Sequence, residues 1–201
     1  MVHLSLLGIP HDDNSSFMKG AAEAPPHIRR ELFSDCYSSW SETGVEVCAD
    51  SRIRDHGDIR FDAASDPWDL IEQHVGRALE SGDPLICLGG DHAITHPILR
   101  AVNDHHREQF TRFGVETIEA RHLSLDIDAL DPAHAPGVSH REPGGLSTRQ
   151  VIDLIQSIDQ PIVGADIVEY NPRCDISGMT ATVAAKLLKE IGGMMVKLSA
   201  G

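Results

Sequence analysis

A chain of 201 residues, 41% of them hydrophobic, is long enough for one domain with a buried core and short for two. Its net charge of -14, with no cluster of Lys and Arg, speaks against nucleic acid and anionic membrane as partners and reads most simply as a solvated surface. Cys36, Cys48, Cys87 and Cys174 lie far apart with no Cys-x-x-Cys pair, so neither a disulfide framework nor a zinc knuckle is expected.

The start of the chain has no basic stretch and only a brief apolar run, so no secretory signal is expected, and no segment reaches membrane-spanning length. The expected setting is cytoplasmic. His3 to Ile9 reads as a buried first strand, ended by Pro10 and a polar loop with Asn14-Ser15-Ser16 and Gly20. A helix opens near Pro25-Pro26. Residues 34 to 66 are rich in Ser, Asp and Gly and read mostly as loop, with one strand at Val45 to Cys48. Trp68, Ile71, Val75, Ala78 and Leu79 recur at helical spacing, and Ser81-Gly82-Asp83-Pro84 stops that helix before a strand at Leu85 to Leu88.

Beyond His92 a helix is expected from Thr95 to Asp104, ending before His105 and His106, then a short strand at Val115 to Ile118 and a clearer one at His122 to Ile127. Asp131 to Gly145 is a Pro- and Gly-rich loop. Ser147-Thr148-Arg149-Gln150 supplies a capping box for a helix through Ile158. Pro161 to Val168 is the last strand, and Thr180 to Ile191 the last helix, with Gly192-Gly193 at its stop. Alternating strands and helices predict an α/β fold, a mostly parallel sheet between two helical layers, as a single domain over 1–201.

In such sheets ligands bind beyond the carboxyl ends of the strands. His92 follows an apolar run and a Gly-Gly turn. Asp126 and Asp128 are two apart on an apolar segment, and Glu169 follows the strand that includes Asp166. The strand period of two puts Asp126 and Asp128 on one face, where they can share a cation. One His and two Asp suit Mn²⁺ or a similar ion. Taken alone, Asp-x-Asp is as common at sheet ends for structural reasons, and His92 could be an ordinary helix-cap histidine.

The chain resembles the arginase, agmatinase and formiminoglutamase family of ureohydrolases. The resemblance rests on Leu7-Gly8-Ile9-Pro10 with Asn14-Ser15-Ser16-Phe17, Ala24-Pro25-Pro26-His27-Ile28-Arg29, His56-Gly57-Asp58-Ile59 and Gly89-Gly90-Asp91-His92. It continues in Ser124 to Pro132, in Pro136-Gly137 with Glu142-Pro143-Gly144-Gly145-Leu146, and in Gly164 to Pro172. The Glu-Pro-Gly-Gly run and the early Asn-Ser-Ser are closer to the agmatinase-type branch. The resemblance implies an arginase-like three-layer αβα fold and hydrolysis of a small linear guanidino compound to urea plus an amine or acid. It further implies two Mn²⁺ ions sharing a hydroxide, and a possible homo-oligomer. It assigns His92, Asp126 and Asp128 as metal ligands, Glu169 as the carboxylate that meets the guanidinium, and His140 as a residue of the substrate-contacting loop.

The family's Asp-Ala-His-x-Asp motif, which carries the remaining ligands, does not occur in the 201 residues. Only 34 positions separate His92 from Asp126, and one βαβ unit takes roughly 30. The sequence around Arg107 to Glu116 is similar to family sequence from beyond the missing part. An internal deletion after His105-His106 is therefore expected, with a sheet shortened by loss of central strands and at most one weakly held Mn²⁺. Three readings follow: an agmatinase-like hydrolase, a catalytically inactive family member that binds or assembles, and a mononuclear hydrolase built on His92, Asp126 and Asp128.

Overall fold

The structure is a computed structural model that describes residues 2–49, 51–113 and 121–199. Five strands form one parallel sheet: β1 (Leu4–Gly8), β2 (Ile53–Asp58), β3 (Leu85–Leu88), β4 (His122–Asp126) and β5 (Gly164–Val168), in the spatial order β2-β1-β3-β5-β4. Among the described residues five α-helices cover it: α1 (Ala24–Leu32), α2 (Pro67–Leu79), α3 (Thr95–Phe113), α4 (Thr148–Gln156) and α5 (Met179–Ser199). The three-layer α/β expectation holds.

The layers follow from strand alternation. Leu4 and Leu6 of β1, Ile86 and Leu88 of β3, and Ala165 and Ile167 of β5 face one core with α1, α4 and α5. Leu7, Leu85, Cys87 and Val168 face the other with α2 and α3. Strands covered on both sides must be apolar at nearly every position, and β1, β3 and β5 are buried throughout.

Two helix starts are capped by side chains. The Asp66 carboxylate accepts the N–H groups of Trp68 and Asp69 to open α2, and Ser147 with Gln150 forms the reciprocal capping box of α4. Several boundaries differ. The expected strand at Val45 to Cys48 is reduced to one bridge between Trp40 and Glu46. The strand lies instead at Ile53–Asp58, where exposed Arg54, Asp55 and His56 hide it from a hydrophobicity reading. An edge strand is held by backbone pairing, so it needs little apolar pattern. The α3 helix does not end at Asp104. It runs on through His105 and His106, since no Gly or Pro interrupts it before Gly114. The expected strand at Val115 to Ile118 lies outside the described residues.

The last correction concerns Gly192-Gly193, which sit inside α5 rather than at its end. Their role is close approach. A Cβ on Gly192 would lie 2.9 Å from Leu4 Cδ1, and one on Gly193 only 2.4 Å from Ser41 Oγ and 2.6 Å from its Cβ. Gly193→Ala gains about 1 kcal/mol of helix propensity but must displace Ser41, at a cost of about 1–3 kcal/mol. The expected net outcome is a lower Tm by thermal unfolding; a raised Tm would show that Ser41 gives way at less cost than the gain in helix propensity.

Candidate functional site

Past the carboxyl ends of β3, β4 and β5 lies a cleft of about 260 Å³ lined by Asn14, Ser15, Ser16, Asp91, His92, Asp126, Asp128, Ser139, His140 and Glu169. Every sequence-predicted site residue is therefore in one place. A larger cavity of about 330 Å³ opens at the opposite ends of the strands, among Val2, Leu79, Pro84, His106 and Ile162. Of the four carboxylates that line the smaller cleft it holds none, and Asp83 is its one acidic lining residue.

Short backbone connections build the site. The Ile9 N–H donates to Leu88 O and the Gly89 N–H to Ile167 O, which extends the ladder beyond the strands. Gly90 is glycine because a Cβ there would sit 1.7 Å from the His11 carbonyl oxygen. The Asp91 carboxylate then accepts the Asn14 N–H at 2.8 Å and the Ala93 N–H at 3.1 Å. Asp91 is thus a loop clamp, as expected of a buried carboxylate at such a turn.

Glu169 closes the ring. Its backbone is left-handed, with φ 66°, a conformation that costs a non-glycine residue energy and is retained at sites where surrounding contacts impose it. The contacts are on both sides: Glu169 N donates to Gly90 O at 3.0 Å, and Glu169 Oε1 accepts the His92 N–H at 2.7 Å. On the other side of His92, Nδ1 lies 3.0 Å from Asp126 Oδ2 and Nε2 lies 3.2 Å from Ser124 Oγ. The other Asp126 oxygen accepts the Asp128 N–H at 2.8 Å. His140 stands at the mouth, with Nε2 3.0 Å from Ser16 Oγ and its ring beside Phe17.

Behind the cleft is a polar network that the sequence reading passed over. Asp166 is fully buried in β5. Its Oδ1 accepts the hydroxyls of Ser124 at 2.6 Å and Thr95 at 3.1 Å, and its Oδ2 lies 2.6 Å from His122 Nε2. A charged residue in the middle of an otherwise apolar strand was the available signal, because such a group is retained only when satisfied.

Two carboxyls of the cleft hold their protons more tightly than free ones. Burial, with Asp126 and Glu169 nearby, pushes the Asp128 carboxyl up to about 7, and its Oδ1 is buried without a hydrogen-bond partner. Burial also raises Glu169, opposed by the His92 N–H, with Asp126 and Asp91 adding to the rise. A positive charge placed among these groups would reverse the shifts.

A pair of Mn²⁺ ions is a stricter test, and the residues do not meet it. Among the described residues no three His, Cys, Asp or Glu side chains are grouped to hold a metal ion. His92 and Asp126 are turned toward each other, and both Asp126 oxygens are engaged by protein groups. His92, Asp126 and Asp128 share the cleft without forming a coordination shell.

Comparison with known proteins places these observations in a family setting. The arginase family profile matches residues 2–115 and 111–193. Arginase 1, mitochondrial, of Arabidopsis thaliana is 33% identical over 278 aligned positions, covering 96% of this chain and 81% of that protein. An agmatinase of Bacillus anthracis is 26% identical, covering 92% of this chain and 89% of its own length. The solved structure of the arginase from Medicago truncatula superposes with a TM-score of 0.82 at 31% identity, covering 96% of this chain and 87% of that one. The 278 aligned positions exceed the 201 residues of the chain, so the Arabidopsis protein carries residues with no counterpart here.

The raised Asp128 group has a stability consequence. A carboxyl whose folded pKa lies above its unfolded value stabilises the fold fully below about pH 3.8, and that contribution is lost as pH rises toward about 7. Asp128→Asn removes the penalty at high pH. In thermal melts the variant is expected to gain a few degrees over the parent at pH 8 and nothing at pH 4; equal differences at both would show that Asp128 ionises normally.

Proposed function

The chain belongs to the arginase family, and from that premise we propose that its cleft recognises the guanidinium of a small linear guanidino compound while the chain by itself does not hydrolyse it. One observation carries this reading. Asp91, Asp126, Asp128 and Glu169 line the cleft, and no Lys or Arg is among its lining residues. A planar cation with several N–H donors answers two needs at once: it neutralises the crowded carboxylates and gives the orphaned Asp128 oxygen a donor.

The compound class comes from the family. Among the relatives, plant arginases share more identity with this chain than the agmatinase does, so arginine stands beside agmatine and guanidinobutyrate as a candidate ligand. Catalytic silence is favoured by the donor set. The Asp-Ala-His-x-Asp motif that the resemblance calls for is absent from the sequence, and an alignment longer than the chain itself agrees with an internal deletion. Without a metal-activated water, a guanidinium held by carboxylates has no nucleophile.

A second reading, agmatinase-like or arginase-like turnover, is favoured by the 33% identity over nearly the whole chain. The two separate in one experiment. Calorimetric titration with arginine, agmatine and 4-guanidinobutyrate, with and without Mn²⁺, is paired with a urea assay on the same samples. The expected result is saturable binding of at least one compound, independent of Mn²⁺, with no urea. Urea release that needs added Mn²⁺ would replace this reading with the hydrolytic one, and no binding at all would remove both.

Within the binding reading Glu169→Gln is expected to weaken affinity about tenfold, equivalent to ~1.4 kcal/mol. Asp126→Ala should do more, since it also frees His92 from its partner at 3.0 Å. An unchanged dissociation constant in both variants would show that the ligand binds elsewhere.

A further inference from the structure

Two buried polar atoms on residues that line the cleft lack a hydrogen-bond partner among the described residues: Asp128 Oδ1 and Ser15 Oγ. A guanidinium answers the first, and the second is left without a complement. Burying an unpaired hydroxyl is costly, so a group that satisfies it is expected. The backbone at Ser15 is not free to turn the hydroxyl elsewhere. Its own N–H donates to Asp12 O at 3.2 Å, and the Asp12 carboxylate in turn accepts the N–H groups of Gly20 and Ala22 at 2.6 and 3.2 Å. On one side of Ser15 the Asn14 N–H donates to the Asp91 carboxylate at 2.8 Å, and on the other Ser16 Oγ lies 3.0 Å from His140 Nε2. Ser15 is thus tied between the carboxylate wall and the mouth.

The charges decide what kind of group Ser15 can meet. Four carboxylates line the cleft with no Lys or Arg among the lining residues, and Lys19, on the same loop as Ser15, is paired with Asp13. A ligand carboxylate would enter this field with neither cation to meet it. An ammonium would be drawn in, and a serine oxygen has two lone pairs with which to accept its N–H.

We propose, resting on the guanidinium reading of the cleft, that Ser15 Oγ is its specificity-determining contact: it accepts a hydrogen bond from the far end of the bound guanidino compound, and so selects a far end that is an ammonium or another donor over one that is a carboxylate. The carboxylates anchor the guanidinium, and Ser15 reads what lies beyond it. Agmatine meets both conditions. Arginine carries a donor and a carboxylate together and falls between, and 4-guanidinobutyrate meets the first condition alone.

The test uses agmatine, 4-guanidinobutyrate and n-butylguanidine, which has the guanidinium and no polar tail, in calorimetric titrations of the full chain. The parent is expected to bind agmatine at least about tenfold more tightly than 4-guanidinobutyrate. Agmatine's second positive charge favours it in any acidic cleft, so Ser15→Ala carries the decision on the residue. That substitution is expected to weaken agmatine about tenfold more than it weakens n-butylguanidine. The comparison is a cycle between one side chain and one end of the ligand, so a general disturbance of the loop cancels, and n-butylguanidine binding by the variant reports an intact cleft. Equal losses for the two compounds overturn the assignment of Ser15 while the guanidinium reading stands. So does a parent that holds 4-guanidinobutyrate as tightly as agmatine. Binding of none of the three by the parent overturns the guanidinium reading and the role of Ser15 with it.

Discussion

Pairing of β3 with β5 is the constraint on which the site rests. It aligns Cys87 with Asp166 and Leu88 with Ile167, strands that are far apart in sequence, and it continues past both strand ends. There the Glu169 N–H meets the Gly90 carbonyl and the Glu169 carboxylate meets the His92 N–H. Parallel strands bring equivalent ends to one side of a sheet, so chain segments that leave them must share a crevice. The glycines make that sharing close: a side chain at Gly90 would strike the His11 carbonyl, and one at Gly89 would strike Ile94 and Val168. The left-handed backbone of Glu169 is imposed by contacts on either side, and its carboxylate is thereby fixed at the wall of the cleft.

Behind this wall, Asp166 sets the position of β4 chemically as well as through the ladder. It is fully buried, yet it receives Ser124, Thr95 and His122. Ser124 in turn contacts His92, which contacts Asp126. A buried carboxylate with three partners ties β4, β5 and α3 together in a way apolar packing cannot, because the directions of its hydrogen bonds admit one arrangement. Asp126 and Glu169 are fixed at the cleft by their bonds to His92 and to the Asp128 N–H. The raised proton affinities of Asp128 and Glu169 follow first from burial and then from the neighbouring carboxylates.

Much of this was legible in the sequence, and the reasons are specific. The continuous apolar runs of β1, β3 and β5 admit only a doubly covered parallel sheet. Asp126 ends β4 and His92, Asp128 and Glu169 each follow a strand, so the rule that strand ends converge sufficed to bring them together; Asp128, expected on the strand face beside Asp126, sits instead in the 3-10 turn Ile127–Ala129 that Asp126 caps. What stayed hidden depends on contacts between distant residues. β2 is recognisable only by its neighbour β1, since its own residues are polar and exposed. The place of Gly192-Gly193 inside α5 depends on the nearness of Leu4 and Ser41, which no local rule supplies. That His92 and Asp126 would share the cleft was readable, but their orientation was not: they satisfy each other, a choice made by the fold.

A parallel sheet persists where each strand is bound to the next and covered by its helices. In this chain β5 lies between β3 and β4 with unbroken register to both, and Leu123 and Leu125 pack against the core that holds Val151 and Ile155 of α4. The same strand, β4, carries Asp126 into the cleft while its Ser124 reaches the buried Asp166, so the contacts that seat β4 in the sheet also set where the cleft carboxylates stand.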